Sequence, residues 1–257
     1  MRLNIVAGVG GTVLLPRGLY YFDNPVFVGS KTRVVGCGQK ATRVSPSTNW
    51  SAVGGLFQVG NASLANASDI EIADLSIDGS SGPLSVTTSG ILLLWGTISN
   101  LSVRRVLIEN MNGHGILTPV ANSPASPHSN IEVSDSTVRN VRDAGIFLAA
   151  TRGFRIVGNW ITGTGWHGIS VGEEGGLKIE DGVVAENFVD RSNPALRPAC
   201  PSGNACGFLI SYSADTQQLM IHTNIVRDNR LALNDGIGWS SSAAAPPIVD
   251  ISLSGNQ

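Results

Sequence analysis

Short apolar alternations, each entered through a glycine, recur along the chain. They read "GLFQV" at Gly55, "GILLL" at Gly90, "GILTP" at Gly115, "GIFLA" at Gly145, "GISVG" at Gly168, "GFLIS" at Gly207 and "GIGWS" at Gly236. The intervals between them are 35, 25, 30, 23, 39 and 29 residues. A second pattern alternates with the first, an apolar pair five residues apart. Its copies are Ile72/Ile77, Val103/Ile108, Val133/Val138, Ile156/Ile161, Val184/Val189 and Ile221/Val226. Gly, Asn, Asp and Ser bound the apolar runs. Alternation over a few residues predicts half-buried strands, and the 3.6-residue period of a helix is hard to find anywhere.

Constant short strands joined by turns of variable length predict a solenoid. Each coil supplies two or three strands, and each strand pairs with its counterpart in the next coil ~4.8 Å away. Inward positions then stack apolar on apolar. Asn159, Asn187, Asn224 and Asn256 recur in one turn slot. Stacked amides there can bond the backbone of the coils above and below and satisfy buried polar groups. The entrance glycine is expected to supply a backbone conformation closed to other residues.

The N-terminal text "GGTVLLPRGLYYFDNPVFVGSKTRVVGCGQKATRV" carries Gly-Gly-Thr-Val, then Leu-Pro-x-Gly-x-Tyr, then Gly-x-Gly before a Thr. With the coil pattern, it resembles the opening of the pectate-lyase superfamily, and the resemblance covers essentially the whole chain. It implies an all-β, right-handed parallel β-helix, a single domain over residues 1–257 with about seven to eight coils. Such proteins usually carry a short helix over the first coil, and nothing before Gly10 reads as one. The chain stops at "ISLSGNQ", inside the second pattern. An uncapped end exposes a strand edge, so either the native chain continues or oligomerisation covers the coil ends.

Three consecutive coils share one turn length. Ile108 to Gly115, Val138 to Gly145 and Ile161 to Gly168 are each seven apart, so these turns should stack residue on residue. Glu109, Arg139 and Thr162 then form one column, and Asn110, Asn140 and Gly163 the next. Asn112, Arg142 and Gly165 follow, then Gly113, Asp143 and Trp166, and last His114, Ala144 and His167. The two histidines lie two coils apart, about 10 Å at the backbone. Ala144 stands between them, and Asp143 adjoins it on the middle coil. A carboxylate beside an imidazole gives a usable acid or base near neutral pH. His114, Asp143 and His167 are therefore the candidate catalytic residues. Arg142 could neutralise a uronate carboxylate. Trp166, Tyr212 and Trp239 could stack on sugar rings, and Glu173 could edge the cleft. Glu109 with Arg139 reads as an ion pair between rungs, and His128 and His222 as solvent-facing residues.

"NGHGIL" is similar to the Gly-His-Gly-Leu motif of polygalacturonase-type glycoside hydrolases, and "GWHGIS" matches it with Trp166 in place of the first Gly. Asp143 matches the first residue of that family's Asp-Asp pair, but Ala144 replaces the second. The Arg-Ile-Lys motif, the Asp-rich calcium cluster of pectate lyases and the epimerase-like Asp-Pro-His are not present. No cofactor is expected, and a His–Asp–His metal site is the weaker alternative. The leading expectation is a polysaccharide-cleaving hydrolase or lyase acting on uronate-containing glycan. The alternatives are a non-catalytic glycan-binding or structural β-helix and a uronate C5 epimerase. The slot of the two histidines also holds Ser89, Cys206 and Asp235, which favours a turn role for it.

Composition narrows the partners. Charged residues make up 14% of the chain and the net charge is −2, against a nucleic-acid or anionic-membrane surface. Of 17 basic residues 14 are arginines, the fork-shaped cation that suits carboxylates. No stretch is long enough to span a membrane. A polysaccharide partner implies a secreted or cell-surface protein, although the first residues do not read as a signal peptide. Three cysteines give no framework, and Cys200 and Cys206 share one loop where a local disulfide could close.

Overall fold

A computed structural model describes residues 10–60, 66–83, 85–93, 96–118, 128–172, 179–190, 208–211, 217–227, 231–234 and 252–254. Among these residues every strand pairing is parallel, and the chain winds as a β-helix. One sheet contains one strand per coil, in the order Val26–Val28, Gly54–Val59, Thr88–Leu93, Ile116–Leu117, Ile146–Ala149, Ile169–Gly172, Phe208–Ser211 and Leu231–Asn234. These eight strands number the coils one to eight. The second sheet wraps the rest of each coil, and Ser252–Ser254 pairs onto the strand Gln217–His222 of coil eight.

The apolar columns are those the patterns predict. Ile72 pairs with Val103, Val103 with Val133, Val133 with Ile156 and Ile156 with Val184. Ile77, Ile108, Val138, Ile161 and Val189 form a second stack, and Ile91, Ile116, Ile146 and Ile169 a third. All of these side chains are buried. Burying one such side chain stabilises by ~1.5–3 kcal/mol, so continuous aliphatic stacks are the main source of cohesion between coils.

One copy of the first pattern is placed differently from expectation. Gly55 pairs with Ser89 and Phe57 with Ile91, so the first copy lies one residue out of register. The strand that pairs with Phe208–Ser211 in coil eight is Leu231–Asn234, and the copy at Gly236 lies outside the described residues. The tetrad Leu-Ala-Leu-Asn has no entrance glycine, the mark by which the first pattern is recognised.

The long strands Asn66–Asp78 and Thr97–Glu109 turn corners without breaking. Each corner is one residue in the left-handed region. Asp69, Asn100 and Asn130 stack at the first corner and Asn110 and Asn140 at the third, with φ between 52° and 59° in an Asn- and Asp-tolerant conformation. Their side chains form outer ladders. Asn130 donates to Asn100 at 3.0 Å, and Asn100 to Asp69 at 2.9 Å. Gly153 and Gly163 continue these columns at φ 64° and 60°.

The inner asparagine ladder forms as expected. Ser136 N–H donates to Asn159 Oδ1, Asn159 N–H to Asn187 Oδ1 and Asn187 N–H to Asn224 Oδ1, each at 3.0 Å. Their amide groups donate in turn to buried carbonyls. Asn256 lies outside the described residues.

The entrance glycines have a different reason from the one expected. Gly90, Gly115 and Gly145 are not in the positive-φ region. Instead a Cβ on each would meet the carbonyl oxygen of the next entrance glycine, at 2.7, 2.4 and 2.6 Å. Close approach of stacked backbones excludes a side chain there.

Candidate functional site

The turns that enter the single-strand sheet stack as the equal spacing requires. Arg139 pairs with both Glu109 and Thr162. Gly90 N–H donates to His114 O, Gly115 N–H to Ala144 O and Gly145 N–H to His167 O, so His114, Ala144 and His167 share one column. Asp143 is bound on both sides, donating its N–H to Gly113 O and accepting at its carbonyl from Trp166 N–H.

His114 is held firmly. Its backbone N–H donates to Ser89 Oγ at 3.1 Å, and its Nδ1 accepts from Ala144 N–H at 3.2 Å. Acceptance at Nδ1 leaves the proton of the neutral ring on Nε2. That Nε2 faces Asp143 Oδ2 at 3.8 Å, and both side chains are largely but not wholly buried. The separation is longer than a hydrogen bond and short enough for attraction.

Aromatic rings frame the pair. His114 lies 6.0 Å from Phe147 and 6.3 Å from Trp166, and Phe147 lies 6.3 Å from Trp166. The triangle spans coils four, five and six. Phe147 is the outward residue of its strand between buried Ile146 and Leu148. Trp166 Nε1 is buried without an acceptor, a condition that costs about 1–3 kcal/mol in a protein interior.

The other expected site residues separate. His167 is only 1% exposed and packs against Trp166, with ring centroids 4.3 Å apart, so it supports the indole from behind. The three residues His114, Asp143 and His167 do not converge on a point that could hold a metal ion. Arg142 is exposed and donates from Nη1 to Asn112 Oδ1 at 3.3 Å on the coil below. Glu173, Tyr212 and Trp239 lie outside the described residues, as do Cys200 and Cys206. Cys37 is a free, exposed thiol.

Sequence reasoning missed Phe147 as part of the site. Its outward place in the alternation was the available signal. It also misplaced His128, which is not solvent-facing. That ring is buried, its Nδ1 accepts from Ile98 N–H at 3.0 Å, and burial pushes its pKa down to about 4. In the outward column of the single-strand sheet Gln58, Leu92 and Ser170 are buried, whereas Phe27 is exposed and Leu117 and Phe147 are half-buried.

The expected ion pair of Glu109 with Arg139 is present and belongs to a longer ladder. Arg139 Nε donates to Glu109 at 2.7 Å, and Arg43 contacts Asp78 and lies 3.6 Å from Glu109. On another face Arg33 and Arg104 both bind Glu71. Burial alone would raise its pKa, but these guanidiniums hold it below the ordinary carboxylate range.

Residues 60–257 match the family described as the right handed beta helix region. No curated protein matches the chain in sequence. Solved structures share the fold at low identity. The A-module of the Azotobacter vinelandii mannuronan C-5 epimerase AlgE6 is 18% identical, with a TM-score of 0.54 over 85% of this chain and 60% of the module. The catalytic unit of the GH87 alpha-1,3-glucanase of Streptomyces thermodiastaticus is 17% identical, with a TM-score of 0.55 over 96% of this chain and 53% of that one. The enzymatically active domain of tailspike protein 2 of bacteriophage CBA120 is 14% identical, with a TM-score of 0.60 over 96% of this chain and 37% of that one. The chain thus spans between about a third and three fifths of these proteins.

Proposed function

The chain belongs to the right-handed β-helix family, and on that premise we propose that it is a polysaccharide-cleaving enzyme with Asp143 as its reacting carboxylate. The observation that carries this reading is the His114–Asp143 pair. Its imidazole is one corner of an aromatic triangle with Phe147 and Trp166 at the entrance to the strands, where equal turns bring three coils into register. Similarity in fold to an epimerase of mannuronan, an alpha-1,3-glucanase and an active tailspike domain supports a glycan substrate. Such a polymer places the protein outside the cell, secreted or at its surface. Among the described residues no helix is long and apolar enough to cross a membrane.

The geometry redistributes the expected roles. His114 Nδ1 is occupied by Ala144 N–H, so the imidazole is poorly placed to act as the base. Its Nε2–H instead orients Asp143. The carboxylate then takes the proton, and His114 is a positioning residue. His167 is a positioning residue too, acting through Trp166.

Hydrolysis requires two carboxylates about 5–9.5 Å apart. Ala144 stands where the second would be, and one carboxylate with one imidazole suits proton abstraction better. In elimination from a uronate, Asp143 takes the C5 proton. The C–H electron pair forms the C4=C5 double bond, and the C4–O bond breaks with its electrons on the leaving oxygen. Arg142 would neutralise the substrate carboxylate. An epimerase shares the first step and returns a proton from the other face.

Incubation with alginate, polygalacturonate and glycosaminoglycans tests the reading. Elimination produces an ultraviolet-absorbing unsaturated end, and Asp143→Asn lowers its rate by about 10²–10⁴. Deuterium entering C5 without absorbance identifies epimerisation. Reducing ends without absorbance, or full turnover in both Asp143→Asn and His114→Ala, would sink the assignment. The alternative outcome is a β-helix that binds glycan without cleaving it. Saturable binding with no turnover on any polymer would select it.

A further inference from the structure

Trp160 is an anomaly on the wall of the helix. It is 53% exposed on the strand Trp160–Thr164, which belongs to the sheet opposite the single-strand one. The ring stacks on Phe188 of the next coil, with centroids 4.1 Å apart and planes at 23°. Register places these two outward side chains in one column with Thr137 and Leu107, in the order Leu107, Thr137, Trp160, Phe188. Phe188 covers one face of the indole. On the other side its register neighbour is Thr137, a side chain much shorter than an indole.

Rungs repeat at ~4.8 Å, close to the thickness of a stacked ring. The short Thr137 side chain beside a half-exposed indole is therefore a missing rung in the ring stack. The neighbouring outward column is Glu109, Arg139, Thr162 and Asp190. It brings hydroxyl and planar hydrogen-bonding groups beside that place. Arg139 is half exposed and held rigid by Glu109. Arg43 is paired with Asp78 and Glu109 further down. With Asp190 the ladder named here holds two guanidiniums and three carboxylates, so it offers no net positive charge.

We propose that Trp160, Phe188 and Thr137 form a carbohydrate-binding platform for a neutral pyranose of a glycan chain. The C–H face of the sugar lies on the indole as the next rung. Its hydroxyls bond the Arg139–Glu109 fork and Thr162. The ladder selects against a uronate, whose charge would find no net attraction. The platform precedes the corner at Gly163, whereas Trp166 follows it, so the two sites are distinct and the proposal does not rest on the role of Asp143.

Isothermal titration of the full chain with maltohexaose and laminarihexaose tests this, with hexamannuronate as the charged comparison. At least one glucan is expected to bind saturably and the uronate more weakly. Trp160→Ala weakens glucan binding roughly tenfold, the size of an aromatic stacking contact. Thr137→Phe fills the missing rung, leaves Trp160 in place, keeps the melting temperature and weakens binding to the same degree. Asp143→Asn binds like the wild type. No saturable binding to either glucan, unchanged affinity in either platform variant, or loss of binding only in Asp143→Asn would overturn the proposal.

Discussion

Acidification from pH 7 to pH 5 should destabilise the β-helix through His128, before its carboxylates begin to protonate. His128 opens the strand His128–Ser134, is 3% exposed, and accepts Ile98 N–H at Nδ1. Protonation would destroy that acceptor and leave a charge in an apolar setting. Burial holds the folded pKa at about 4 against an ordinary value of 6.5. Between these values the unfolded chain binds a proton that the folded chain refuses. Stability is therefore full above pH 6.5, falls as the pH drops, and levels off below about 4. At pH 5 the loss is about 1.5 pH units at 1.36 kcal/mol each, or ~2 kcal/mol. For a chain of this length that is roughly 4–8 °C in melting temperature. Thermal melts at pH 7.5, 6.5, 5.5 and 5.0 would compare wild type with His128→Asn, which keeps an acceptor near Nδ1 and cannot titrate. The difference between the two curves removes the other histidines. Hydrogen exchange at the Ile98 amide reports the local opening, since a solenoid can open locally as well as globally. Parallel curves for the two proteins, or an Ile98 amide equally protected at pH 7 and 5, would refute the reasoning.

Two packing features make further predictions. Asn187→Leu removes the acceptor of Asn159 N–H and the donor to Ile156 O, and should lower stability by about 2–4 kcal/mol in urea titration. Gly115→Ala places a Cβ 2.4 Å from Gly145 O and 2.6 Å from Val138 Cγ1, so its loss should exceed ~3 kcal/mol or prevent soluble expression. Gly38→Ala meets no atom within 4 Å and bears only the cost of φ +111°, about 1–3 kcal/mol, so the two variants separate crowding from backbone conformation.

The coil columns were legible because a parallel in-register sheet has almost no freedom. Once Val138 lies over Ile108, and the turns to Gly145 and Gly115 are equal, Asp143 must lie near His114. The asparagine ladder was legible for the same reason. Reading failed where turn length changed. Gly55 is out of register because its coil carries a different turn, and the strand Leu231–Asn234 carries no glycine.

By itself, then, the amino-acid sequence determined the class of fold, the stacking order and the meeting of His114 with Asp143. All three follow from strand period and turn length, which are local quantities. Only the tertiary structure decided which histidines face solvent and what each ring nitrogen does. His128 and His167 are buried, His114 Nδ1 accepts a backbone N–H, and Trp160 stands exposed and stacked on Phe188. Outward positions of a β-helix have no periodic partner of their own. Their environment is set by loops and by the side chains on coils above and below, tens of residues away in the chain.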